Sequence, residues 1–139
     1  MESGELLREE YMKLLKTQID AHLNKSNALK EQDFIDEHNF EKIKLNVVEI
    51  FLKMFYASFN DVYGNQANTE LTSNEKYEKL YSKYMAFFER IPSSWIEKSK
   101  KAKELKMVKE YVIEELKINT ANEVKELFIE QYNKFKNPV

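Results

Sequence analysis

"FLKMFYASFNDVYGNQ", residues 51–66, sets an aromatic at every fourth position: Phe51, Phe55, Phe59 and Tyr63, with Tyr56 beside the row. Four residues advance a helix by about 400°, so the row drifts only about 120° over three steps and keeps to one broad face. Working outward, Ile43, Val47, Ile50, Met54 and Val62 extend that face, and Leu45, Val48, Leu52 and Tyr56 form a second row beside it. A helix apolar over so much of its circumference is expected to have neighbours on more than one side. We read residues from about 40 to 63 as the central helix, closed by Gly64 in a left-handed conformation.

The rest of the chain supports a helical protein. Its 139 residues contain only two Gly and two Pro, 42% of them are hydrophobic, and 33% are charged. So few turn formers leave no room for a sheet of hairpins, and the chain is too apolar to be disordered. Residues 5 to about 30 carry Leu6, Leu7, Tyr11, Leu14, Leu15, Ile19 and Leu23 at three- and four-residue steps, the helical period. The boundary with the next helix falls between 24 and 40, with Asp33 and Asn39 as candidate starts. After the polar stretch "GNQANTELT" (64–72), three segments place Ser or Thr three residues before Glu: Thr72/Glu75, Ser94/Glu97 and Thr120/Glu123. Each reads as a reciprocal cap at a helix start. They predict helices over about 73–90, ended by Pro92, over 95–118, and over 121–135. No internal repeat of solenoid period is present. The expected fold is all-α: a single-domain antiparallel bundle of four long helices plus a shorter C-terminal helix.

Cysteine is absent, so disulfides and thiolate chemistry are excluded. No apolar run approaches the length of a membrane span, and "MESGELLREE" does not read as a signal peptide. A cytoplasmic protein with no membrane partner is expected. The lysines number 20 against two arginines, and there are 12 Asn, a bias that an AT-rich genome produces. Lysine is therefore discounted as a nucleic-acid signal, and no nucleic-acid partner is expected. The general form resembles many small helical proteins of low-GC bacteria and their phages, with no motif that narrows the likeness.

Catalytic signatures are few. Two glycines cannot build a phosphate loop. His38 and Glu41 are three apart, but neither histidine has the Glu-x-x-His spacing of a di-metal bundle. We expect no enzyme, metal or cofactor. Eleven of the 18 aromatics lie between 51 and 95. Phe55, Tyr56, Phe59, Tyr63, Tyr77, Tyr81 and Tyr84 are candidates for a core, a ligand pocket or an interface between copies, because each tyrosine hydroxyl needs a partner. The second candidate is basic. Six lysines and one glutamate fall between 98 and 109. The stripe Ala102, Leu105, Val108, Val112, Leu116 runs backwards into Lys101 and Lys98. Residues 93–101 are thus expected to project from the bundle, with Trp95 partly exposed or against the 64–72 loop. Arg90, Lys98, Lys100 and Lys101 at a helix start could hold an anion or an acidic partner. Residues 1–41 carry ten acidic and five basic groups, so a homodimer that pairs the two regions is possible. The function expected is protein–protein interaction as a regulator, adaptor or immunity-type partner. The alternative is a binder of a small apolar or aromatic ligand between the second and third helices.

Overall fold

Three-residue connections force consecutive helices to turn back on each other. In the computed structural model, which describes residues 1–136, α1 spans Ser3–Glu31 and α2 Ile35–Tyr63. α3 spans Ser73–Glu104 and α4 Val108–Phe135, and a short 3-10 turn, Gln66–Asn68, interrupts the longer α2–α3 loop. The result is an all-α antiparallel bundle of four helices. Among the described residues, no helix is long and apolar enough to cross a membrane.

The expected fifth helix does not exist, because two boundaries lie elsewhere. Pro92 does not stop α3; it is buried inside it. A proline in a helix interior lacks the N–H that residue 88 would receive and costs about 3 kcal/mol. Burial offsets that cost, since Phe88, Pro92, Ser99 and Ala102 keep one face against the bundle on both sides of the break. Ser93 Oγ donates to the Arg90 carbonyl at 2.7 Å and satisfies one acceptor of that turn. Thr120 caps nothing either. It is buried in mid-α4, and its Oγ1 donates to the Leu116 carbonyl at 2.8 Å. Ser94 is likewise interior to α3. A hydroxyl that bonds back one turn satisfies itself inside a helix, so Ser/Thr-x-x-Glu is not by itself a start. Only Thr72 makes the reciprocal cap: its Oγ1 accepts from Glu75 N–H, and Glu75 accepts from Thr72 N–H, both at 3.1 Å.

The two short turns have the same geometry. In the first, the Phe34 N–H donates to the Leu29 carbonyl and the Asp33 N–H to the Lys30 carbonyl. In the second, Met107 donates to Ala102 and Lys106 to Lys103. Both are Schellman closures, with Asp33 (φ 62°) and Lys106 (φ 56°) in the left-handed position. Asp33 thus ends a helix rather than starting one, and Asn39 lies inside α2. Gly64, at φ −94°, is not left-handed.

This likeness extends along the chain. With an offset of 73 residues and no gap, 15 of the 62 positions from 2 to 63 match an identical residue in 75–136. Among them are Leu7/Leu80, Tyr11/Tyr84, Ser26/Ser99, Glu41/Glu114, Lys44/Lys117 and Phe55/Phe128, all buried except the lysines. The bundle is therefore two versions of one helical hairpin packed as a pseudo-twofold pair. Its centre is a tetrad of fully buried rings. Within the hairpins, Tyr11–Phe55 and Tyr84–Phe128 lie 5.1 and 4.6 Å apart. Between them, Tyr11–Phe128 and Tyr84–Phe55 lie 5.3 and 5.2 Å apart. All four are edge-to-face contacts, the arrangement that aromatic quadrupoles favour.

Phe55→Ala should cost about 3 to 5 kcal/mol, because it leaves a cavity at this crossing. A loss below about 1 kcal/mol in urea unfolding would contradict the packing described. Pro92→Ala should raise stability by about 1 to 3 kcal/mol, because it restores a backbone hydrogen bond to Phe88. A destabilised variant would mean that the proline ring's own packing outweighs the missing bond.

Candidate functional site

The aromatic candidates are placed mostly inside. Phe55, Phe59, Tyr77 and Tyr84 are buried, Tyr63 and Tyr81 are half-buried, and Tyr56 is exposed. α2 and α3 do bring rings together: Phe51 stacks on Phe88 at 4.3 Å. α1 and α4, whose aromatics are fewer, complete the cluster through Tyr11, Phe128 and Tyr132. The hydroxyls are satisfied within it. Tyr84 donates to the Phe51 carbonyl at 2.9 Å, which leaves its oxygen to accept from Tyr11 at 2.7 Å. Tyr77 donates to the Tyr132 carbonyl at 2.7 Å. Burial drives the Tyr11, Tyr77 and Tyr84 hydroxyls well above their ordinary value, so they stay protonated. Tyr63 stacks on Phe59 at 4.5 Å and fits because residue 4 is glycine, where a Cβ would collide with the tyrosine ring. Burial, followed by the nearby Glu2 charge, pushes its hydroxyl up to about 12. The open groove between α2 and α3, about 630 Å³, lies outside the cluster along Ala57, Asp61, Lys83 and Phe87. Lys83 pairs with Asp61 there.

The basic candidates do not form the expected anion site. α3 is continuous through 93–101, so no helix start offers free N–H groups at Ser94. Arg90 lies over the Phe87 ring at 5.0 Å, two turns before Lys98. Lys98, Lys100 and Lys101 are exposed, but Ser99 between them and Ala102 after them are buried, so the segment does not project. Trp95 is half-buried against the core with the Lys117 ammonium 5.9 Å from its ring centre, away from the 64–72 loop.

The stripe from Ala102 to Leu116 is not a core face either. The chain reverses at Lys106, so its members belong to two helices. Leu105 is 68% exposed, Val108 71% and Met107 44%. The antiparallel order brings the other short turn to the same end of the bundle, where Phe34 and Ile35 are each 51% exposed. Two shallow grooves flank this end. One, about 360 Å³, is bounded by Ala102, Met107, Val108 and Tyr111. The other, about 410 Å³, is bounded by Phe40, Val112 and Leu116. Here large apolar side chains and lysines share one surface, which is the chemistry of a contact face.

A polar cluster lies below the first turn. Glu41 is buried, although its sequence neighbours gave no sign of it. It accepts from His22 Nδ1–H at 2.8 Å, and from Lys25 and Lys44 at 3.3 Å each. His38 turns to α1 by a different contact: its Nδ1 lies 2.8 Å from Ser26 Oγ. Burial raises the Glu41 carboxyl, but the three donors together outweigh it and hold it below the usual carboxylate range. At the equivalent place in the second hairpin Trp95 replaces His22. Glu114 keeps Lys117 at 3.3 Å, and its Oε2 has no hydrogen-bond partner among the described residues. The 73-residue offset aligns both glutamates and their lysines, Glu41/Glu114 and Lys44/Lys117. Among the described residues, no group of three or more acidic or histidine side chains could hold a metal ion.

No protein-family description matches this chain, and no curated protein or solved structure matches it. Its function is therefore argued from its own geometry.

Because the folded carboxyl of Glu41 is depressed, its stabilising effect is present above the unfolded value near 4.5 and is lost as pH falls through the lower folded value. Urea midpoints measured between about pH 6 and pH 3 should fall more steeply for the natural protein than for Glu41→Gln. Parallel curves would show that the His22–Glu41 contact adds nothing.

Proposed function

We propose that this protein acts by protein–protein contact, as a small cytosolic regulator, adaptor or immunity-type partner, and not by catalysis. The observation that carries the reading is the pairing of exposed Leu105, Met107, Val108, Phe34 and Ile35 at one end of a bundle whose ring cluster is otherwise filled. Single exposed apolar residues are ordinary, but five gathered at two neighbouring turns are not. Lys98, Lys100, Lys101, Lys103, Lys106 and Lys109 surround the second turn. The matching surface is therefore apolar at its centre and acidic where it meets the second turn, an arrangement that speeds encounter and sets orientation. The ring region favours contact over ligand enclosure, because its tyrosine hydroxyls are spent on each other and on the backbone.

Leu105→Ser with Val108→Ser should leave unfolding free energy within about 0.5 kcal/mol of the natural protein, since both side chains face solvent. The same pair of changes should abolish capture of the physiological partner by tagged protein in its own cell. Unchanged capture of every partner would reject the turn end as the working surface.

A further inference from the structure

At their shared end the two hairpins keep several equivalent residues and differ most in charge; Leu105, matched by Gln32, is the one exposed apolar residue of the turns without an apolar equivalent. Three equivalent pairs keep an exposed apolar residue: Leu23/Ile96, Phe34/Met107 and Ile35/Val108. Lys30/Lys103, Glu31/Glu104 and Glu37/Glu110 are identical. The remaining two charged positions of the turns are reversed: Asp33 faces its equivalent Lys106, and Asp36 its equivalent Lys109. Over the wider equivalent segments, residues 25–37 hold Lys25 and Lys30 against Glu31, Asp33, Asp36 and Glu37, a net charge of −2. Residues 98–110 hold six lysines against Glu104 and Glu110, a net charge of +4. One half of the end is acidic, the other is basic, and apolar side chains stand in both.

We propose that this end is a self-association face whose occupant is a second copy of the chain. The idea rests on reading the turn end as the interaction surface, and it names the partner. A twofold axis lying in the plane of the end, and crossing the line between the two turns, brings each copy's acidic turn onto the other's basic turn. One rotation satisfies both contacts, because a twofold interface is isologous. Phe34 and Ile35 of one copy then cover Met107 and Val108 of the other. The alternative axis, along the line between the turns, sets acidic on acidic and basic on basic, which charge repulsion disfavours. Charge therefore selects one docking geometry.

Size sets the strength. Four helices each about 10 Å across present an end of roughly 400 Å², so a dimer buries about 800 Å² in total, below the roughly 1,200 Å² of stable specific interfaces and in the range of weak, transient ones. The dimer is weak and concentration-dependent, and it suits a protein that exchanges its own copy for another partner at the same face.

The test uses residues that each turn already tolerates. Asp33→Lys with Asp36→Lys gives the first turn the charges of the second; Lys106→Asp with Lys109→Asp does the reverse. Circular dichroism should show both variants folded. In sedimentation equilibrium over roughly 10 to 500 µM, the range that so small an interface requires, the natural protein should move from 16.7 kDa towards twice that mass. Each variant alone should associate about tenfold more weakly or worse, because like charges meet twice. An equimolar mixture of the two should recover association to within about threefold of the natural protein, since one copy then carries lysine, and the other aspartate, at all four of these turn positions. Salt at about 1 M, where the Debye length is near 3 Å, should weaken both complexes. A natural protein that stays at 16.7 kDa throughout overturns the proposal. If its partner capture still depends on Leu105 and Val108, the contact function stands without the dimer. A dimer indifferent to both charge variants and to Leu105→Ser with Val108→Ser overturns the turn end itself.

Discussion

The bundle depends on one crossing. Tyr11 and Tyr84 occupy the same place in the two hairpins, and their hydroxyls meet at 2.7 Å with no solvent beside them. A buried hydroxyl without a partner costs about as much as a typical core mutation. Tyr11 therefore needs Tyr84, and the hairpins must approach in a register that brings the two together. The pair cannot be fully symmetric. Tyr84 spends its proton on the Phe51 carbonyl, so Tyr11 must be the donor between them. One polar chain thus runs from α1 through α3 to α2, inside a box of rings closed by Phe55 and Phe128.

Helix content and the ring core were legible in the sequence because they are local properties. The four-residue aromatic row can sit only on one helix face, and the Thr72/Glu75 cap follows from its spacing together with the polar stretch before it. The boundaries near 92 and 106 were not legible, for the opposite reason. Pro92 carries the strongest local stop signal in the chain, and long-range burial overrides it. The real reversal, "ELKMV", has neither Gly nor Pro. It is made by a lysine forced left-handed, and only the packing of two long helices can enforce that. Thr120 and Ser94 misled because a hydroxyl has two ways to satisfy itself near a helix, and sequence does not say which. Glu41 was missed because two of its three donors, His22 and Lys25, lie 19 and 16 residues away on another helix. Comparing the chain with itself at one offset would have located the turn, the buried acids and the central tyrosines together.

The interior and the surface then differ in an informative way. At the ring crossing equivalent positions keep the same residue, Tyr11/Tyr84 and Phe55/Phe128, while farther out buried pairs trade size within one close-packed core, as Leu15/Phe88 and Phe51/Val124 do. Equivalent surface positions are free to diverge, and they do so at particular places. His22 against Trp95 gives Glu41 a donor that Glu114 lacks: Glu41 has three, and Glu114 has Lys117. Asp33 against Lys106 and Asp36 against Lys109 make the turn end bipolar. The candidate working surface lies where the exposed apolar residues agree and the charges do not.

The central claim is that the hydroxyl pair ties the two hairpins together, and a double-mutant cycle on Tyr11→Phe and Tyr84→Phe tests it most directly. Tyr84→Phe strands the Tyr11 hydroxyl and removes the bond to Phe51, so it should cost about 1 to 3 kcal/mol. Tyr11→Phe leaves Tyr84 bonded to the carbonyl and should cost only about 0.5 to 1.5 kcal/mol. The double variant should lose little more than Tyr84→Phe alone, with a coupling of about 0.5 kcal/mol or more. Additive losses, or a larger loss at Tyr11, would contradict the arrangement.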